Sequence, residues 1–225
     1  MLSSTFRRQV TSLLAQGYRG VTFQQLVTGP PSGKSLAVTF DDSELGVIEH
    51  AFPILSELGL PGTVFVPVSS VGLPGVTTWD DLRGLVNAGW EVGSHAFSHA
   101  RLPDLNQEAL ERELRGSRET IEDVLQRPCT SIAYPYAAVD DRVRSAAAAA
   151  GYEMGCTTDG TLSTADPLRW PRVGVNGDDG FFVFRAKTSR TGRALRGSRL
   201  GRLLELGGRA ARAAESAVQS GLRQT

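Results

Sequence analysis

Six short apolar runs, alternating with stretches of helical character, constrain this chain more than any other feature. They are SLAVTF (35–40), TVFVPV (63–68), WEVGS (90–94), SIAYPY (131–136), YEMGCT (152–157) and RWPRVGV (169–175). Runs this short and this apolar suit strands buried on both faces, the condition of a parallel sheet. Between them, 44–58, 79–88, 106–125 and 139–150 read as helices. In the first of these Val47, Ile48, Ala51, Ile54, Leu55 and Leu58 share one stripe, and Pro53 predicts a kink or a boundary inside it. A further helix over 5–17, closed by Gly17, precedes the first strand. Strands alternating with helices at this spacing predict βα units. Six strands fall short of the eight of a full (β/α) barrel.

Composition adds one asymmetry. The formal net charge is zero, which gives no reason to expect a nucleic-acid partner. The zero is a balance, however. Residues 185–225 hold ten Arg/Lys against two Glu, a net of +8, so residues 1–184 carry −8. Residues 1–187 are expected to form one domain. Residues 188–225 are expected to form a basic tail, partly helical or disordered, with peripheral contact to an anionic membrane as its sharper reading. The N-terminus lacks the apolar segment of a signal peptide, and no stretch has the length of a membrane span, which predicts a cytoplasmic protein. Cys129 and Cys156 make no disulfide or CxxC pattern and are expected as buried thiols.

Function gathers at the carboxyl ends of the strands in parallel βα folds. TFDD (39–42) brings Asp41 and Asp42 to the end of the first run. SHAFSH (94–99) brings His95 to the end of the third, with His99 four residues on. AYPY (133–136) ends the fourth. Two histidines one helical turn apart and a carboxylate at the end of another strand make a three-residue ligand set that leaves positions open for water and substrate, as catalytic metal sites do. A second carboxylate then serves as base. Ala96 follows His95 where an HExxH motif would supply a Glu, so Asp41 is the candidate base. A non-haem iron oxygenase also uses two His and a carboxylate, but the adjacent second Asp argues for hydrolysis.

These motifs resemble those of the polysaccharide deacetylase family, also known as the NodB-homology domain or carbohydrate esterase family 4. The resemblance runs from about Phe6 to about Lys187 and includes HAFPILSELGLPGTVFVP, TWDDLRGLVNAGWEVGSH and ELRGSRETIE. It implies a distorted, incomplete (β/α) barrel. It also implies one divalent ion, Zn²⁺ foremost with Co²⁺, Ni²⁺ or Fe²⁺ as alternatives, held by Asp42, His95 and His99. Asp41 would be the general base, and the Tyr136 N–H would help to hold the oxyanion. The implied reaction removes an acetyl group, foremost an N-acetyl, from a carbohydrate. Another amide substrate, or a binding protein without turnover, is the alternative.

Two departures from the family pattern stand out. An Arg that supports the catalytic Asp is replaced by Ala133, and Arg172 is the candidate substitute. The late leucine–histidine motif that supplies the general acid is absent. Of the three histidines, only His50 lies outside the ligand set, and it falls within a helix. The proton for the leaving group is then expected from Asp41 itself or from Asp178 or Asp179. Tyr134, Pro135 and Trp170, with Trp79, are candidate sugar contacts. A cytoplasmic precursor, lipid-linked or nucleotide-linked, is the expected substrate.

Overall fold

The computed structural model describes residues 3–29, 33–158 and 166–189. The chain begins with α1 (Ser3–Leu14), β1 (Tyr18–Gly20) and α2 (Phe23–Thr28). α2 is set by a capping box: the Thr22 side chain accepts from the Gln25 N–H, and the Gln25 side chain accepts from the Thr22 N–H. The run SLAVTF is not one strand, as expected, but two. β2 (Lys34–Leu36) pairs with β1 in a small parallel sheet, and β3 (Thr39–Phe40) opens the main sheet.

The predicted helix over 44–58 also divides. A π-helical turn (Val47–Ala51) leads into α3 (Phe52–Glu57). The Phe52 N–H bonds to the Val47 carbonyl five residues back, and Pro53, which has no N–H to donate, starts the α-helix proper. β4 (Thr63–Val66), α4 (Trp79–Asn87), β5 (Glu91–Ser94), α5 (Gln107–Leu125), β6 (Ser131–Ala133), α6 (Asp141–Ala149), β7 (Met154–Thr157) and β8 (Trp170–Pro171) follow in alternation. Three of the six expected strands, 63–68, 131–136 and 169–175, end two to four residues early, because each turns into a loop as soon as it leaves the sheet. α7 (Phe181–Thr188), unanticipated, returns across α1. Expectations for residues 190–225, and so for most of the basic tail, lie outside the described residues.

β3 to β8 are all parallel and hydrogen-bonded in chain order, and the sheet curls into a half-barrel. Alternation along each strand separates two cores. Val64, Val66, Val92 and Ile132 face outward and pack against Leu82, Leu85, Leu110, Leu114, Ile121 and Val143 of the helices. Phe65, Ala133, Met154 and Cys156 face inward and form a second cluster with Phe23 of α2. Gly93 faces inward too, and only a glycine fits: an added Cβ would lie 2.5 Å from Ser131 Oγ and 2.6 Å from the Phe65 ring. Glu91 closes the amino end of the barrel. Its carboxylate accepts from the Ser131 hydroxyl (2.5 Å), the Gln24 N–H (2.8 Å) and the Thr63 hydroxyl (3.0 Å). Both cysteines are buried free thiols, and burial pushes Cys156 up to about 12. Among the described residues, no helix is long and apolar enough to cross a membrane.

Candidate active site

The inward face that carries Phe65 and Gly93 continues, at the carboxyl ends of the strands, into polar side chains. Thr39 and Asp41 share it by alternation, as do Gly93 and His95. The intervening Phe40 points the other way, stacking on Trp90 with ring centroids 5.8 Å apart. On an extended chain Asp42 would point away from Asp41. It does not, because the backbone turns at once: Asp42 has φ +64° and Ser43 φ +47°. Two consecutive non-glycine residues in the left-handed region are uncommon, and here they swing the second carboxylate towards the histidines.

Asp42, His95 and His99 form a three-residue cluster whose potential ligand atoms lie within 4.8 Å of one another. Asp42 Oδ1 is 3.3 Å from His99 Nε2 and 3.7 Å from His95 Nε2. The two imidazoles sit 4.7 Å apart, but not on a helical turn as their spacing predicted. Residues 95–99 form a loop in which Ala96 (φ +62°) and His99 (φ +60°) are left-handed. His95 is buried, and its Nδ1 is 2.7 Å from the Ala133 carbonyl. That contact assigns the Nδ1 proton to the carbonyl and leaves the Nε2 lone pair for the cluster, a standard way of orienting a metal-ligating imidazole. Burial outweighs the nearby Asp41 and moves the His95 imidazole below its ordinary value, which favours the neutral form that can ligate. The donor set of two imidazoles and one carboxylate fits a divalent metal such as zinc.

Asp41 stands beside this cluster in the grip of Arg172. The guanidinium donates twice, Nη1 to Oδ1 and Nη2 to Oδ2, each at 2.8 Å, and Nη1 also reaches Thr39 Oγ1 at 3.0 Å. Arg172 lies 5.5 Å over the Phe65 ring and is anchored by its N–H to the Thr157 carbonyl (2.8 Å). Burial opposes ionisation of Asp41, but the charge and the hydrogen bonds of Arg172 outweigh it and hold the carboxyl below the usual carboxylate value.

The third motif divides at the rim. Tyr136 adopts φ +58°, is 63% exposed, and sets its ring 4.7 Å from that of His99. Tyr134 is the reverse of the expectation. It is 1% exposed and donates its hydroxyl to the Leu168 carbonyl at 2.9 Å, so it has no face to offer a sugar. Pro135 is buried as well. Trp170 packs in part against the inner cluster, and Trp79 against the outer one. Asp178 is exposed on a turn. Asp179 is buried, and its carboxylate is committed to Lys187 Nζ (2.5 Å) and the Asn176 N–H (2.8 Å), fastening α7 rather than facing the rim. His50 is exposed on the π-helical turn beside Glu49.

One residue of this site escaped the sequence reading. Glu113 of α5 accepts hydrogen bonds from the loop between the two histidines. The only signal in the sequence was its place three residues after Leu110 and one before Leu114, a carboxylate at the edge of a buried stripe.

The half-barrel thus carries a carboxylate–imidazole cluster and an arginine-held aspartate together at its strand ends. A sequence model described as polysaccharide deacetylase matches residues 28–155, and the chain belongs to that family. The chain is 27% identical over 136 residues to YxkH of Bacillus subtilis, which bears a polysaccharide deacetylase name; the match covers 60% of this chain and 49% of YxkH. This chain thus spans about half the length of that relative. The polysaccharide deacetylase BC0361 of Bacillus cereus is similar in structure, with a TM-score of 0.74 and 26% identity over 83% of this chain and 61% of that one. The Streptococcus pyogenes deacetylase PplD shares the fold, with a TM-score of 0.75 and 20% identity over 83% of this chain and 87% of its own.

Proposed function

We propose that this chain is a metal-dependent carbohydrate deacetylase that removes an acetyl group, by preference an N-acetyl, from a sugar or glycan. The observation that carries this reading is the pairing of the Asp42/His95/His99 cluster with an adjacent Asp41 that Arg172 keeps ionised. Asp42, His95 and His99 would hold the metal. When bound, a zinc-like ion supplies Lewis acidity and lowers the pKa of water.

The chain's own residues account for the rest. Asp41 takes a proton from the attacking water as its oxygen bonds to the acetyl carbon. The Tyr136 N–H donates to the oxyanion, helped by the left-handed turn that sets residue 136 against His99. With no histidine left over for general acid, Asp41 then returns the proton to the sugar nitrogen as the C–N bond breaks. Acetate and a free amine leave. A carboxyl group whose pKa is held low is a weaker base but gives its proton up readily once protonated, which favours the second of these two steps. Arg172 positions Asp41 throughout, in the place of the arginine that Ala133 lacks.

Elemental analysis of wild type beside His95→Ala, followed by acetate release from a panel of N-acetylated sugars, tests the reading. About one equivalent of metal in wild type, much less in the variant, and acetate release are expected. A second reading, a carbohydrate- or metal-binding protein without turnover, is favoured by the missing acid histidine. Bound metal without acetate from any sugar would select it. A membrane-presented substrate is the proposed setting, on the strength of the +8 charge of residues 185–225.

A further inference from the structure

The loop that joins the two histidines is irregular, carries two left-handed residues, and has no helix or strand of its own to hold it. Two segments hold it: the Val68 and Ser69 N–H groups donate to the Ala96 (3.4 Å) and Phe97 (2.9 Å) carbonyls, and α5 takes up the loop's own donors. The Glu113 carboxylate accepts from three donors of the loop: the Phe97 N–H (2.9 Å) and the Ser98 N–H (2.8 Å) on Oε2, and the Ser98 hydroxyl (2.5 Å) on Oε1. Four residues further along the same helix, Ser117 Oγ meets Ser94 Oγ at 2.5 Å, and Ser94 Oγ in turn accepts the Ala96 N–H at 3.1 Å. Spacing of i and i+4 puts both contacts on one face of α5. Bonds to an ionised acceptor are among the stronger hydrogen bonds.

We infer that Glu113 is a positioning residue for the metal site: its carboxylate fixes the 96–98 backbone and so sets where His99 presents Nε2 relative to His95 and Asp42. This rests on the reading of the cluster as a metal site. His95 has its own orienting contact in the Ala133 carbonyl, whereas His99 is more exposed and takes its place from the loop. Without Glu113 the strained turn at 96 and 99 relaxes, and the ligand set is no longer preformed.

The test compares zinc affinity, by competition with a chromogenic chelator, with the melting point of the metal-free protein. Glu113→Ala should bind zinc about 10- to 100-fold more weakly, while the metal-free melting point shifts little. Glu113→Gln should recover most of that loss, since its carbonyl oxygen can take both N–H donors and its amide can donate to Ser98 Oγ. Ser98→Ala removes one bond of the three and should weaken zinc binding less, in the same direction, even if Glu113→Ala fails to fold. Zinc affinities equal to wild type in Glu113→Ala, or in Ser98→Ala where the first does not fold, overturn the inference and leave the metal site standing. A wild type that binds no zinc overturns both together.

Discussion

Asp41 and Arg172 are 131 residues apart in sequence, yet each satisfies the other with two hydrogen bonds of 2.8 Å. At neutral pH this keeps the proposed base ready to accept a proton. Its pKa is lowered in the folded chain, so the pair stabilises the fold above the ordinary carboxylate range, and that contribution is lost as pH falls through the lowered value. Arg172→Ala removes the main influence lowering the pKa and leaves burial to raise it. Turnover should fall by about 10- to 100-fold, the acid limb of the pH–rate profile should move to higher pH, and zinc stoichiometry should not change. An acid limb that stays in place would refute the positioning role. Asp41→Asn should cost roughly 10²–10⁴ in turnover if Asp41 is the base, measured as acetate release at saturating metal.

The elements divide the work by their two ends. The carboxyl ends of β3, β5 and β6 carry the candidate site's side chains, while the amino ends are closed by Glu91 and by Phe23 of α2. Gly93 sits where the filled interior leaves no room for a side chain. Gly93→Ala overpacks the space beside Phe65, two residues before His95. Such overpacking costs about 1–3 kcal/mol, which at this chain length is a melting point lower by roughly 3–10 °C. An unchanged melting curve would show that Phe65 can yield. Sequence periodicity found these strands but misjudged their extent. SLAVTF is apolar throughout, so nothing in it marked the point where β2 leaves one sheet and β3 enters another. β1 and α2, each six residues or fewer, are too short to display a period at all.

Across the whole molecule, the candidate ligands come from the loop after β3 and the loop after β5, strands separated in the sheet by β4. A bound ion would therefore tie the two loops together and stabilise the folded chain over the unfolded one. With free metal at a hundred times its dissociation constant the gain is about 2.7 kcal/mol, so a chelator should lower the melting point by roughly 5–10 °C, and His95→Ala should abolish the difference. The sequence by itself determined the alternating architecture, the strand ends at which the candidate site gathers, and the residue types of the Asp42/His95/His99 cluster. Each of these is written in local pattern: short apolar runs, helical stripes, and carboxylates or imidazoles placed directly after a strand. Only the tertiary structure decided that Asp42 turns back beside Asp41, that Tyr134 belongs to the core and Tyr136 to the rim, that Asp179 fastens α7, and that Glu113 braces the histidine loop. Those outcomes depend on backbone conformation beyond the strand ends and on partners far away in sequence, neither of which a local pattern encodes.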